Sequence, residues 1–241
     1  MTTIAPITIS VAVNQISTAP APILIPDTCA LLDLIRLPKR AKNATFAQAE
    51  LEAARIINAR AKVNNLWIVI PALVHKEWNE NCDSTFRELD DFSNKLDSEM
   101  AIANEIDDFL NSASHSAVIY STRNFGRGLK KLSADFFKNA IFLDEDQNCN
   151  TKALKRVVSN SPPASKGSGA KDCIIAEHVI KLCAEIRRIQ IQEKAVFLTS
   201  NTSDYCESGT GDVKQLLKTE FQGIKLSLTT HWQWTKAELG I

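Results

Sequence analysis

Residues 22–32 read PILIPDTCALL, and the chain changes character at one point inside them. The apolar run 22–26, bounded by prolines, has the length and composition of a buried strand. From Thr28 onward, TCALLDLIRL carries its apolar residues at helical spacing. Asp27 stands at the junction. That is the carboxyl end of a strand, the edge where open α/β sheets bind ligands, and it is also a place from which Asp27 or Thr28 caps the next helix.

The same alternation recurs outward from this point. LWIVIP (66–71), IFL (141–143), AVFLTS (195–200) and IKLSL (224–228) are further short apolar runs. Helical spacing occupies 45–63, with Phe46, Leu51, Ala54 and Ile57 on one stripe, and then 72–111, 114–138, 172–191 and 212–220. Strands alternating with helices predict an α/β fold in which a parallel β-sheet of about four to five strands is sandwiched by helices.

The 241 residues are expected to form one domain over 21–241, with a helical insertion at about 80–140, where two or three helices precede the strand at 141. SNSPPASKGSGAK (159–171) is dense in Ser, Pro, Gly and Lys, which predicts a mobile loop running into Asp172. Residues 1–20 are uncharged and lack the basic flank of a secretory signal, so an N-terminal tail or edge strand is expected there. No stretch approaches 18 consecutive apolar residues, so no membrane span is expected and the chain reads as cytoplasmic. No repeat of 20–50 residues is present, which argues against a solenoid.

Composition excludes other classes. A hydrophobic content of 44% with 23% charged residues suits a globular core. The six cysteines form no C-x-x-C pair and read as reduced thiols, and the four histidines keep no ligand spacing that would favour zinc. The zero net charge hides segregation: nine acids lie within 83–108, whereas Arg123, Arg127, Lys130 and Lys131 cluster without an acid. With Lys166 and Lys171 on the loop, these bases are candidates for contacting a phosphate backbone, the alternative being solvated helix faces. Trp67 and Trp78 read as core, which leaves HWQW (231–234) as the exposed candidate for base stacking.

Three further acids share the placement of Asp27. Glu77 lies in the helix PALVHKEWNEN after the strand 66–71, and Asp172 opens DCIIAEHVIKLCAEIRRI, where the helix dipole favours an anion. In that helix Ile174, Ile175, Val179, Leu182 and Ile186 form the core stripe, and Glu177 and His178 point away from Asp172, toward a flank or the surface. TSNTSDY (199–205) follows the strand 195–198 and offers Asn201 and Asp204 as oxygen donors. Each acid alone is an ordinary cap or turn residue. Carboxylates gathered at one sheet edge repel, and holding them ionised calls for a hard cation such as Mg²⁺ or Mn²⁺, which can activate water at a phosphate.

ILIPDTCALL, PALVHKEWNEN, GSGAKDCIIAEHVIKL and VFLTSNTSDY resemble, in order and context, the acidic motifs of PIN-domain nucleases, particularly the larger bacterial branch. The resemblance implies a metal-dependent endoribonuclease in which Asp27, Glu77 and Asp172 are the principal Mg²⁺ or Mn²⁺ ligands. Asp204 completes the set, with Asn201 second, and Thr28 and Thr199 support it. It further implies an RNA substrate, with DNA left open, an antitoxin or other protein partner or a homodimer, and a setting in toxin–antitoxin control, stress or antiphage defence. The long helical region and neutral charge depart from the small toxin members. A catalytically silent PIN-like module that binds RNA or protein is the alternative.

Overall fold

The computed structural model describes residues 5–111, 119–164 and 169–241. Its centre is a five-stranded, all-parallel sheet of β1 (Ile23–Pro26), β2 (Trp67–Pro71), β3 (Ala140–Leu143), β4 (Ala195–Leu198) and β5 (Leu226–Thr229), in the order β3-β2-β1-β4-β5. Ile23, Leu24 and Ile25 of the central strand are wholly buried, as expected of a strand covered on both faces. From β1 the chain works outward to β2 and β3, then crosses back to β4 and β5. The direction therefore reverses between β1 and β4, and a crevice is expected at their carboxyl ends.

By the right-handed rule for parallel crossovers, the helices are expected on two faces of this sheet. α2 (Thr28–Arg40), α3 (Ala44–Lys62), α4 (Ala72–Asn111) and α5 (Phe125–Asp135) make the outward connections on one face. α6 (Gln147–Ser159), α7 (Ala170–Arg188), the single turn α8 (Thr202–Tyr205) and α9 (Gln215–Gly223) make the return. α1 (Ile9–Thr18) packs against α7, and α10 (Trp232–Leu239) against α3. Short 3-10 turns at Ser121–Arg123 and Phe136–Asn139 flank α5. Trp78 ties the first layer together: its indole N–H donates to Ser133 Oγ at 2.8 Å, and Ser133 in turn donates to the Leu31 carbonyl at 2.7 Å.

Several expectations are corrected. Residues 9–18 are neither tail nor edge strand, because Ile9, Ala12, Val13 and Ile16 recur at helical spacing and bury one face. Among the described residues of this stretch, only Ile7 adds to the sheet, bonding Phe142 of β3 and Asp144 just after it. The segment 159–171 is shorter as a loop than its composition suggests: α6 runs to Ser159, Ala164 is packed with Ala153 and Cys173, and α7 already begins at Ala170. Residues 165–168, and Lys166 with them, lie outside the described residues, as do 112–118 of the helix expected over 114–138. Glu177 and His178 are buried and not at the surface, because α6 covers that flank of α7. Trp232 is likewise buried, its ring tilted against that of Phe136 with centroids 4.7 Å apart, whereas Trp234 is exposed beside His231. All six cysteines are free, and no described helix is long and apolar enough to cross a membrane.

Candidate active site

The parallel pairing of β1 with β4 aligns Pro26 with Leu198, and the Asp27 N–H donates to the Leu198 carbonyl at 2.8 Å. The residue that leaves β1 is thereby set against the one that leaves β4. Thr199 Oγ1 donates to Asp27 Oδ2 at 2.8 Å, and the Cys29 thiol to the same oxygen at 3.0 Å. Oδ1 accepts the Thr28 N–H at 2.7 Å, so Asp27 does cap α2 while facing the crevice. Asp27 is 3% exposed, and burial pushes its carboxyl upward, against these donors and with a further push from the Glu77 charge.

Glu77, about a turn and a half into α4, turns its side chain to the N-terminus of α2. Its Oε2 accepts from Thr28 Oγ1 at 2.8 Å, and its Oε1 pairs with Lys171 Nζ at 3.0 Å. Asp172 sits in the first turn of α7, fixed by Asn201 Nδ2 on Oδ1 at 3.0 Å and by the Tyr205 hydroxyl on its backbone carbonyl. Burial first, then the charges of Asp27, Asp204 and Glu77, raise Asp172 to about 6 against the pull of the Asn201 amide. Four carboxylates on four separate segments therefore feel one another.

These side chains do not stand equally. Asp27, Glu77, Asp172 and Asn201 line one open cleft of about 490 Å³, whereas Asp204 joins them through Asn201, whose Nδ2 also donates to Asp204 Oδ2 at 2.8 Å. Thr28 lines the cleft as well, and Thr199 lies beneath Asp27, wholly buried. Arg123, Arg127, Lys130 and Lys131 are not among its lining residues; Lys130 is taken up by Asp83 at 2.6 Å. Lys171 reaches the centre through Glu77.

Residues not singled out from the sequence also belong here. Cys29 touches Asp27 and, at 3.2 Å, accepts the Ser200 N–H; burial and the Asp27 charge push its thiol up, which keeps it a neutral donor. Tyr205 is fully buried and carries Asp172 on its hydroxyl. Arg36 and Arg40 extend the cleft along α2, and their spacing from Cys29 and Leu32 on one helix face was the available clue.

The donors present are oxygens and suit a hard divalent cation, and the mutual elevation of Asp172 by its neighbours is the charge imbalance that such a cation would relieve. Among the described residues, however, no three acid, His or Cys side chains already converge as a ligand group. The Asp27 oxygens are engaged by Thr28, Cys29 and Thr199, and those of Glu77 by Thr28 and Lys171. The acids are neighbours around a cleft, and not the preassembled cluster that their order in the sequence suggested.

A doubly wound parallel sheet with acids gathered at its carboxyl edge defines an α/β protein whose ligand site is expected at that edge. Residues 24–205 match the family model described as PIN domain, and the chain belongs to that family. Its members are usually nucleases, bind nucleic acid and generally use divalent metals. No curated protein and no solved structure matches the chain.

Proposed function

We propose that this protein is a metal-dependent endoribonuclease that hydrolyses RNA phosphodiester bonds in the cleft between α2, α4 and α7. The observation that carries this reading is the meeting of Asp27, Glu77 and Asp172, from three distant segments, in one cleft where burial and the neighbouring acids raise Asp172. Asp27, Glu77 and Asp172 would hold Mg²⁺ or Mn²⁺, with Asp204 contributing through Asn201. Bound there, such a cation supplies a lowered pKa for an attacking water and charge neutralisation at the leaving oxygen.

The chain's own residues set the stage for that chemistry. Thr28, Thr199 and Cys29 fix the Asp27 carboxylate without neutralising it, and Asn201 orients Asp172. Lys171 is paired with Glu77, and on release from it is placed to meet a phosphate. The second reading, a silent PIN-like module, draws on that same ion pair and on the lack of a converged ligand group among the described residues.

Cleavage of a circular RNA with Mg²⁺, Mn²⁺ or EDTA, by the native protein and by Asp27→Asn and Asp172→Asn, separates the two. Metal-dependent linearisation that both variants lose supports the nuclease. Metal-independent cutting, or full activity in both variants, sinks the mechanism, and binding without any cutting favours the silent module.

A further inference from the structure

The cleft does not end at the acids. It continues along α2 past Leu32 and Asp33 to Arg36 and Arg40, which line the same surface as Asp27 and Glu77. At the 1.5 Å rise of a helix, Arg36 and Arg40 stand about 13 Å and about 19 Å from Asp27 along the α2 axis. At the roughly 3.4 Å spacing of successive nucleotides in a stacked strand, these are distances of about four and six nucleotides.

A polyanion approaching a carboxylate centre is repelled unless cations elsewhere hold it. Two guanidiniums on the cleft wall are suited to this, and their setting distinguishes them from ordinary surface pairs. They share one carboxylate: Asp33 lies 3.8 Å from Arg36 through Oδ1 and is bonded to Arg40 through Oδ2. The remaining acid, Glu88, is half exposed and 3.5 Å from Arg36 Nε, a pairing that competes weakly with a phosphate. Arg36 is also steadied by the buried Thr85 hydroxyl at 3.1 Å, so its planar fork is held in place before a ligand arrives. Asn81 and Ser200, Thr202 and Ser203 add neutral hydrogen-bonding groups to the lining. The cleft has the volume of a small-ligand site, which holds a short local stretch of a strand.

We propose that Arg36 and Arg40 form a phosphate-binding track along α2 that holds single-stranded nucleic acid leading away from the acidic centre. This rests on the nuclease reading above. It also moves the principal backbone contacts from the basic α5 cluster to α2.

The test uses the full chain carrying Asp172→Asn, to suppress turnover, with Mg²⁺ present. Binding of a fluorescent single-stranded RNA of about 12 nucleotides is read by anisotropy across a salt series. Arg40→Gln is expected to make the plot of log affinity against log salt shallower by about 0.7, and Arg36→Gln together with Arg40→Gln to weaken binding about 10-fold at low salt. Arg127→Gln with Lys131→Gln is expected to change the slope less. Arg40 is exposed, so its variant reports on contact and not on folding. An unchanged slope in Arg40→Gln and in the double variant overturns the track, as does equal or tighter binding of duplex RNA of the same length. A separate arm follows Mn²⁺-dependent hydrolysis of bis(p-nitrophenyl) phosphate by the chain with native Asp172. Its turnover is expected to be lost with Asp27→Asn. Turnover that is absent, or indifferent to Asp27→Asn, counts against the nuclease while the RNA binding still decides the track.

Discussion

Asp172 and Glu177 sit five residues apart on α7, and the fold treats their carboxylates in opposite ways. At 100° per residue they point about 140° apart, one into the cleft and one under α6. Glu177 meets Arg156 Nε at 2.5 Å, and the same guanidinium spans Glu220 at 2.8 Å and the Pro162 carbonyl at 2.7 Å. Asp172 has an amide, and three acids for neighbours. The first arrangement satisfies buried charge and joins α6, α7 and α9. The second leaves charge unsatisfied, a cost to the fold that is repaid only when something positive arrives. Neutralising the two sites should therefore have opposite consequences.

The widest separation is expected in catalysis. Asp172→Asn should lower metal-dependent RNA cleavage at least about 100-fold while leaving the midpoint of urea unfolding unchanged or higher. A lower midpoint would mean that Asp172 is structural after all. Next is Arg156→Ala, which strands Glu177 inside the protein and should cost about 3–5 kcal/mol in urea unfolding, with the cleft chemistry of the folded fraction intact. Pairing it with Glu177→Leu should restore part of that loss, and a double variant no better than the single would dissolve the contrast.

The pH dependence is expected to be smaller. Asp172 titrates near 6 when folded against an ordinary 3.8, so the native state binds more protons than the unfolded state between those values. Stability from this group is then highest below about 3.8 and falls as pH rises through 6, by an amount that partial exposure limits to about 2 kcal/mol. Asp172→Asn should flatten that slope, and Mg²⁺ should raise the melting temperature at pH 7.5 more than at pH 5. Equal shifts at both pH values would argue that the cation binds elsewhere. The smallest effect is expected from Tyr205→Phe, which removes the hydroxyl on the Asp172 carbonyl and should cost about 1 kcal/mol by thermal or urea unfolding.

Reading the sequence located the sheet well because β1 to β4 are buried on both faces, and full burial writes itself as unbroken apolar runs. Asp27 was visible for the same reason, standing where such a run stops. α6 was not anticipated. Its inward residues are Cys149, Ala153 and Arg156, while Leu154 and Val158 face solvent, so its buried stripe lacks the large apolar residues that mark a helix. Missing α6 is also what misplaced Glu177 and His178. α1 escaped because its Thr, Ser, Val and Ile residues favour extended backbone locally, and burial of its apolar stripe overrides them. Within the site, the order of the acids was legible, but which donors already occupy their oxygens depends on contacts such as Thr199 to Asp27, 172 residues apart.

That last separation matters for how the protein comes into being. Asp27 is made early by the ribosome, yet the hydroxyl that fixes it, the amide that orients Asp172 and the strand that seats both are made after residue 194. A nascent or truncated chain holds three of the acids with no crevice to put them in. The order of synthesis thus acts as a delay: the cleft has no edge until the segment that follows residue 194 has been made and has folded against β1.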